Sequence, residues 1–168
     1  MIVLRNLALP FLALLAMPPA LRAQGVPPET VAVPGARAAL TLQAAGAQIH
    51  ECRPDAAGGL AWRFREPVAT LLQDGTTVGR HFAGPAWQLA DGSLLTARAT
   101  GSAPGATAAD IPLLRLEPAA PGTGRFAAVV AIQRLATQGG VLTGPCTTAG
   151  ALRPVPYTAD YVFLVPAG

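Results

Sequence analysis

The 168-residue sequence contains no lysine, so all 12 of its basic residues are arginines. That absence excludes Schiff-base catalysis, the phosphate-cradling lysine of a P-loop and a Ser–Lys dyad. Asparagine occurs once, as Asn6, and Leu7 and Ala8 follow it, so there is no N-glycosylation acceptor. Serine occurs only as Ser93 and Ser102, neither within G-x-S-x-G, and the hydrolase nucleophile elbow is missing. Charged residues make up only 12% of the chain, against about a quarter in ordinary domains. With 51% hydrophobic residues, disorder driven by charge is excluded. Aromatics, at 5%, are too few for the two girdles of a membrane-spanning barrel. Soft metal ligands are limited to His50, Cys52, His81 and Cys146, without the paired spacings of a metal site. No metal and no cofactor is implied.

The net charge of +3 and a pI near 9.5 suggest nucleic acid at first sight. The arginines are spread singly, however, and only Arg63 and Arg65 are close, whereas nucleic-acid binders cluster charge on one stripe. Residues 1–23 read as a secretory leader: Arg5 opens it, an apolar run follows over 7–17, and Pro18-Pro19-Ala20 breaks the run. Cleavage after Ala20 or Ala23 fits the small residues there. Loss of Arg5 and Arg22 leaves ten arginines against nine acidic residues, and the basic signal disappears. The run is short of the roughly 20 apolar residues that a spanning helix needs. The mature chain is therefore expected to be periplasmic or secreted and not to span a membrane. In an oxidising compartment an isolated cysteine pair reads as a disulfide, Cys52–Cys146.

Residues 24–38 hold Pro27, Pro28 and Pro34 with Gly25 and Gly35, and read as a linker or extended arm. A single β domain over 39–168 follows. Strand-like runs occupy 47–52, 60–65, 68–72, 76–82, 86–89, 93–100, 113–116, 125–135 and 157–165. In 60–65 the alternation is strict, with Trp62 and Phe64 on one face and Arg63 and Arg65 on the other. Asp74-Gly75 and Asp91-Gly92 between apolar runs are hairpin signals. A helix near 103–110 is left open, weakened by Pro104 and Gly105. The fold expected is all-β, an antiparallel β-sandwich or closed β-barrel with short hairpins.

Several stretches carry a resemblance in order along the chain: Gly46-Ala-Gln-Ile-His-Glu-Cys52, Trp62-Arg-Phe64, Val78-Gly-Arg-His-Phe-Ala-Gly-Pro-Ala-Trp87 and Asp91-Gly-Ser93. They continue as Ile111-Pro-Leu-Leu114, Ile132-Gln-Arg134, Thr137-Gln-Gly-Gly140, Cys146 and Val155-Pro-Tyr-Thr-Ala-Asp-Tyr161. In these the chain resembles domain-of-unknown-function family 3455, secreted proteins of bacteria and fungi, over residues 34–164. His50 stands where the family pattern suggests Tyr, and the segment between Gly140 and Cys146 is short. The resemblance implies one fold unit and export; it implies no reaction.

Gly122-Thr-Gly-Arg-Phe-Ala127 spells a dinucleotide fingerprint, but Pro118 and Pro121 precede it and a β-branched run follows, so it reads as a turn. His81, close in sequence to Trp87 and Asp91, is a candidate general base; lacking a nucleophile beside it, it reads better as a structural or ligand-contact residue. Trp87 and Tyr157 are candidates to line an apolar pocket, although aromatic residues in strands more often fill a core. Asp160 shares a strand face with Thr158, while Tyr157, Tyr161 and Phe163 share the other. If buried, its carboxylate needs a cation, and Arg134 is the candidate. Two function classes result. One is a non-enzymatic module that binds a small apolar ligand or a protein partner through His81, Trp87, Arg134, Tyr157 and Asp160. The other is an extracytoplasmic hydrolase or isomerase using carboxylates and His81. The missing lysine, metal motif and nucleophile elbow favour the first.

Overall fold

The structure, a computed structural model, describes residues 27–168. The leader proposed for 1–23 lies outside the described residues. Eight strands follow one another around a closed antiparallel barrel in chain order. They are β1 (Ala36–Pro54), β2 (Leu60–Gln73), β3 (Thr76–Phe82), β4 (Ala86–Leu89), β5 (Leu94–Ala103), β6 (Leu113–Pro118), β7 (Ala131–Gly139) and β8 (Leu152–Pro166). Pairing of β1 with β8, from Ala36 opposite Pro166 to Glu51 opposite Leu152, closes the ring. Of the two all-β architectures expected, the barrel is therefore the one adopted. Closure removes the exposed edges that a sandwich of this length would have to protect.

Several strands differ in extent from the sequence runs, for identifiable reasons. β1 begins at Ala36, not 47; its first half is alanine-rich with Thr41 as its single β-branched residue, which leaves a weak strand signal in the sequence. The runs at 60–65 and 68–72 fuse into β2 through Pro67. Proline is tolerated there because β3 pairs with β2 only from Ala69 onward, leaving the proline nitrogen on an open edge. Pro154 and Pro156 obey the same rule: they pair with β1, whereas β7 reaches β8 only from Tyr157. The free edge of β2 is covered by the 140–151 loop, through Trp62 N–H to Gly144 O at 3.1 Å and Cys146 N–H to Leu60 O at 3.0 Å. The long run expected over 125–135 divides instead. Gly124–Phe126 is a single 3-10 turn and the strand starts at Ala131. That turn occupies the would-be dinucleotide fingerprint. No helix forms over 103–110; β5 ends at Ala103 and a loop follows.

Hairpin turns appear where Asp-Gly marks them. Asp74 and Gly75 both take positive φ, 51° and 78°, as a two-residue turn of matching twist requires. Gly46 is needed in mid-strand, because a Cβ there would run into the Val68 carbonyl of the neighbouring strand.

Inward side chains fill the barrel. Leu42, Leu71, Leu95, Leu116, Ile132 and Phe163 are buried around its axis, and Phe126 closes one end. Fully burying each such side chain contributes about 1.5–3 kcal/mol. Phe126 is held there because its 3-10 turn is anchored by Arg125 N–H to the buried Ser93 Oγ at 2.9 Å. A second apolar cluster lies outside the ring. Val31, on the 3-10 turn Glu29–Val31, packs with Ala103, Ala131, Leu135, Val162 and Leu164. Gln133 Nε2 donates to the Val31 carbonyl at 2.7 Å. Part of the expected arm is thus docked on the barrel wall, which explains why the last half of β8 is apolar on both faces.

Candidate functional site

Successive strands alternate in direction, so the connections at 55–59, 83–85, 104–112 and 140–151 gather at one end of the barrel. Phe126 plugs the opposite end; this one holds a cavity of about 520 Å³. Its walls include Gln48, His50, Phe64, His81, Trp87, Ile111, Leu114, Arg134, Gly140 and Tyr161. An eight-stranded barrel is just wide enough to be filled by side chains or to hold one small ligand. Here the two solutions share the barrel, one half each.

An aromatic ladder separates them. Phe126 meets Phe163 at 4.7 Å between ring centroids, and Phe163 meets Trp87 edge-on at 5.7 Å. Trp87 stacks on His81 at 4.9 Å and stands edge-on to Tyr161 at 5.2 Å. His81 and Trp87 are directly opposite in the β3–β4 register, and Tyr161 enters from β8 across the ring.

His81 is buried and bonded at both nitrogens. Nδ1 lies 2.9 Å from the Ala86 carbonyl, and Nε2 lies 2.9 Å from the Tyr161 hydroxyl. A carbonyl only accepts, so Nδ1 carries the proton, and Nε2 accepts from Tyr161. Burial pulls the imidazole pKa down to about 4, and the Arg134 charge adds to that, against the raising effect of the Ala86 bond. His81 is therefore neutral at physiological pH. Burial also raises the pKa of the Tyr161 phenol, with the Arg134 charge opposing.

Arg134 sits in β7 opposite Tyr161 and Leu114, so its side chain shares the inner face. Its Nε and Nη2 donate to the Pro112 carbonyl at 3.0 and 2.8 Å. Asp160 stands opposite Leu135, one position off, and strand side chains alternate. It lines a separate groove with Gln43, Leu72 and Thr158. The buried Arg134–Asp160 pair expected from sequence thus fails on parity: the two side chains leave opposite faces of the sheet. Asp160 is half-buried because the covering apolar cluster ends at Val162.

His81, Trp87 and Arg134 therefore converge on one cavity and Asp160 does not. Tyr157 is buried beside Gly140 without reaching the cavity surface. Burial, then its neighbour Tyr161, raises the Tyr157 pKa. Asp91 does not partner His81; it caps the turn at the plugged end, its Oδ1 accepting from Ser93 N–H at 2.8 Å. Phe64, expected on a packed face, is 54% exposed because only the cavity mouth lies beneath it. His50 is buried near the mouth, edge-on to Phe64 at 6.0 Å, and burial lowers its pKa.

Sequence reasoning missed Gln48, Gly140, Asp110 and Tyr161 as builders of this end. Gln48 Nε2 and Trp87 Nε1 are buried N–H donors without a hydrogen-bond partner in side chains that line the cavity. Gly140 has φ +87°, and a Cβ on it would stand 2.8 Å from Ile111 Cγ2 and 2.9 Å from Gln48 Cγ. Asp110 knits the rim: Oδ1 accepts from Gly139 N–H at 2.6 Å, Oδ2 from Thr107 N–H at 2.9 Å and its hydroxyl at 2.7 Å. The Gly139 bond in particular lowers its pKa. Only Tyr161 had a usable signal, its shared parity with Tyr157 and Phe163.

Cys52 and Cys146, 94 positions apart in sequence, form a disulfide with Cα atoms 5.9 Å apart. It ties β1 to the 140–151 loop, whose Gly140, Val141 and Leu142 form one wall of the cavity. Both cysteines are thereby removed from any metal-ligand set.

Fold and site together define a small up-and-down β-barrel plugged at one end and open through an apolar cavity at the other. The chain belongs to the protein family of unknown function DUF3455, whose family model matches residues 33–165. No curated protein and no solved structure matches it significantly.

Proposed function

We propose that this protein is an exported, non-enzymatic binding module that takes a small, largely apolar ligand into the open end of its barrel. The cavity is the observation that carries the reading. About 520 Å³ falls within the range of small-molecule sites, and its wall is mostly apolar with a few convergent polar groups. The half-exposed Phe64 at the mouth offers an apolar entry. Export is supported by the disulfide, a bond characteristic of oxidising compartments. The hydrolase or isomerase reading needs a carboxylate beside His81. The groups around that imidazole are instead Trp87, Tyr161, the Ala86 carbonyl and the Arg134 charge.

The test is titration with the neutral fluorescent probe N-phenyl-1-naphthylamine. Saturable one-to-one binding is expected, lost when Leu114→Trp fills the cavity. An absence of saturable binding to folded wild-type protein refutes the reading. For export, N-terminal sequencing of extracytoplasmic protein should begin at Leu21 or Gln24; a start at Met1 refutes a cleaved leader.

A further inference from the structure

We infer that the ligand of this cavity carries a carboxylate on its apolar body, with Arg134 as the residue that receives it. The inference deepens the binding-module reading and rests on it.

The argument is one of donors against acceptors. Among the described residues lining the cavity, two are cationic, Arg65 and Arg134, and none is a carboxylate. Arg65 is near the rim and already faces Glu66 at 3.2 Å and Glu51 at 3.9 Å. Arg134 is different. It is half-buried, and its Nε and Nη2 hold the carbonyl of Pro112. That contact is with a neutral oxygen, so it orients the guanidinium without neutralising it. The same guanidinium also lies beside the Tyr161 hydroxyl, another neutral oxygen, and its planar fork is suited to a planar acceptor such as a carboxylate.

The other polar groups point the same way. Trp87 Nε1 is a buried donor without a partner, and Gln48 Nε2 lies buried beside the Tyr157 hydroxyl. Buried donors left unmatched are costly, and a ligand that matches them recovers that cost. The acceptors on His81 and Ala86 are engaged: His81 Nε2 takes the Tyr161 proton, and Ala86 O takes the Nδ1 proton. The cavity therefore offers the positive charge of Arg134 against apolar walls, and asks for an anionic acceptor at one end of an apolar molecule. A cationic ligand would meet Arg134 with like charge, and a neutral hydrocarbon would leave its charge uncompensated. The apolar walls admit either a flat ring system or an alkyl chain as the body of the ligand.

The experiment compares matched pairs by calorimetry on the intact, oxidised mature chain at neutral pH. The pairs are decanoate with 1-decanol and 2-naphthoate with 2-naphthylmethanol, each below its aggregation limit. At least one acid should bind about tenfold tighter than its alcohol, as expected for a charge-assisted contact in a half-buried site. Whichever pair shows the larger preference identifies a chain-like or a flat body. Arg134→Gln should reduce that preference to less than about threefold. The wild-type comparison needs no variant, so a misfolded Arg134→Gln does not remove the test. Equal binding of acids and alcohols overturns the carboxylate and leaves the binding module standing. Failure of all four while N-phenyl-1-naphthylamine binds overturns it as well. Failure of the neutral probe too brings down both readings.

Discussion

The Tyr161 hydroxyl donates to His81 Nε2 across the barrel, 2.9 Å apart and 80 residues apart in sequence. The bond joins β8 to β3, which are not neighbours in the ring. It therefore spans the interior at the level where the packed half gives way to the cavity. Tyr161→Phe keeps the ring and strands a buried acceptor. The expected loss is about 1–3 kcal/mol, measured by denaturant unfolding of the variant against wild type.

His81 makes stability depend on pH in a known direction. Its folded pKa lies near 4, below the ordinary 6.5. Between these values the unfolded chain binds the proton and the folded chain does not, so stability rises with pH across the window. The contribution is complete above about 6.5 and is lost progressively as pH falls toward 4, with a total on the order of 3 kcal/mol. His50, lowered in the same direction, adds to the slope. Urea midpoints measured from pH 4 to 7.5 should fall on acidification in wild type and much less steeply in His81→Gln.

Reduction of Cys52–Cys146 should destabilise the protein and free the loop that walls the cavity. The chain-entropy model gives about 4–5 kcal/mol for a loop of this length, an upper figure. Thermal unfolding with and without dithiothreitol reads the stability. Limited proteolysis should show new cleavage within 141–151 after reduction.

Gly140→Ala forces a side chain onto a backbone with φ +87° and into Gln48, Ile111 and Tyr157. A loss of about 2 kcal/mol or more is expected, since both strain and crowding act. Binding of N-phenyl-1-naphthylamine should weaken in the same variant, because the displaced Gln48 and Ile111 line the cavity.

Arg134→Ala and Asp160→Ala should show little mutual coupling. Their side chains leave opposite faces of the sheet, so a double-mutant cycle should give an interaction energy below about 0.5 kcal/mol. A coupling of 2 kcal/mol or more, of the size expected of a buried ion pair, would contradict the register described above.

Local chemistry in the sequence was enough to determine the all-β class. Asp74-Gly75 can only turn tightly, and the alternation at 60–65 can only serve a strand. Two cysteines behind a leader-like segment were enough for the Cys52–Cys146 pairing, since no other partner exists. The parity of Tyr157, Tyr161 and Phe163 was also legible. Which face of a strand looks inward was not. Period-two alternation says which residues share a side, and it loses its meaning where both sides are covered, as in β8 beneath Val31. The closing β1–β8 contact joins the two ends of the chain, and no local pattern encodes it. That single non-local pairing put Arg134 inside and Asp160 outside. It also brought Gln48, His81, Trp87 and Tyr161, from four different strands, around one cavity. The cavity belongs to the tertiary structure alone, because it is the volume left where strands outrun the side chains available to fill them.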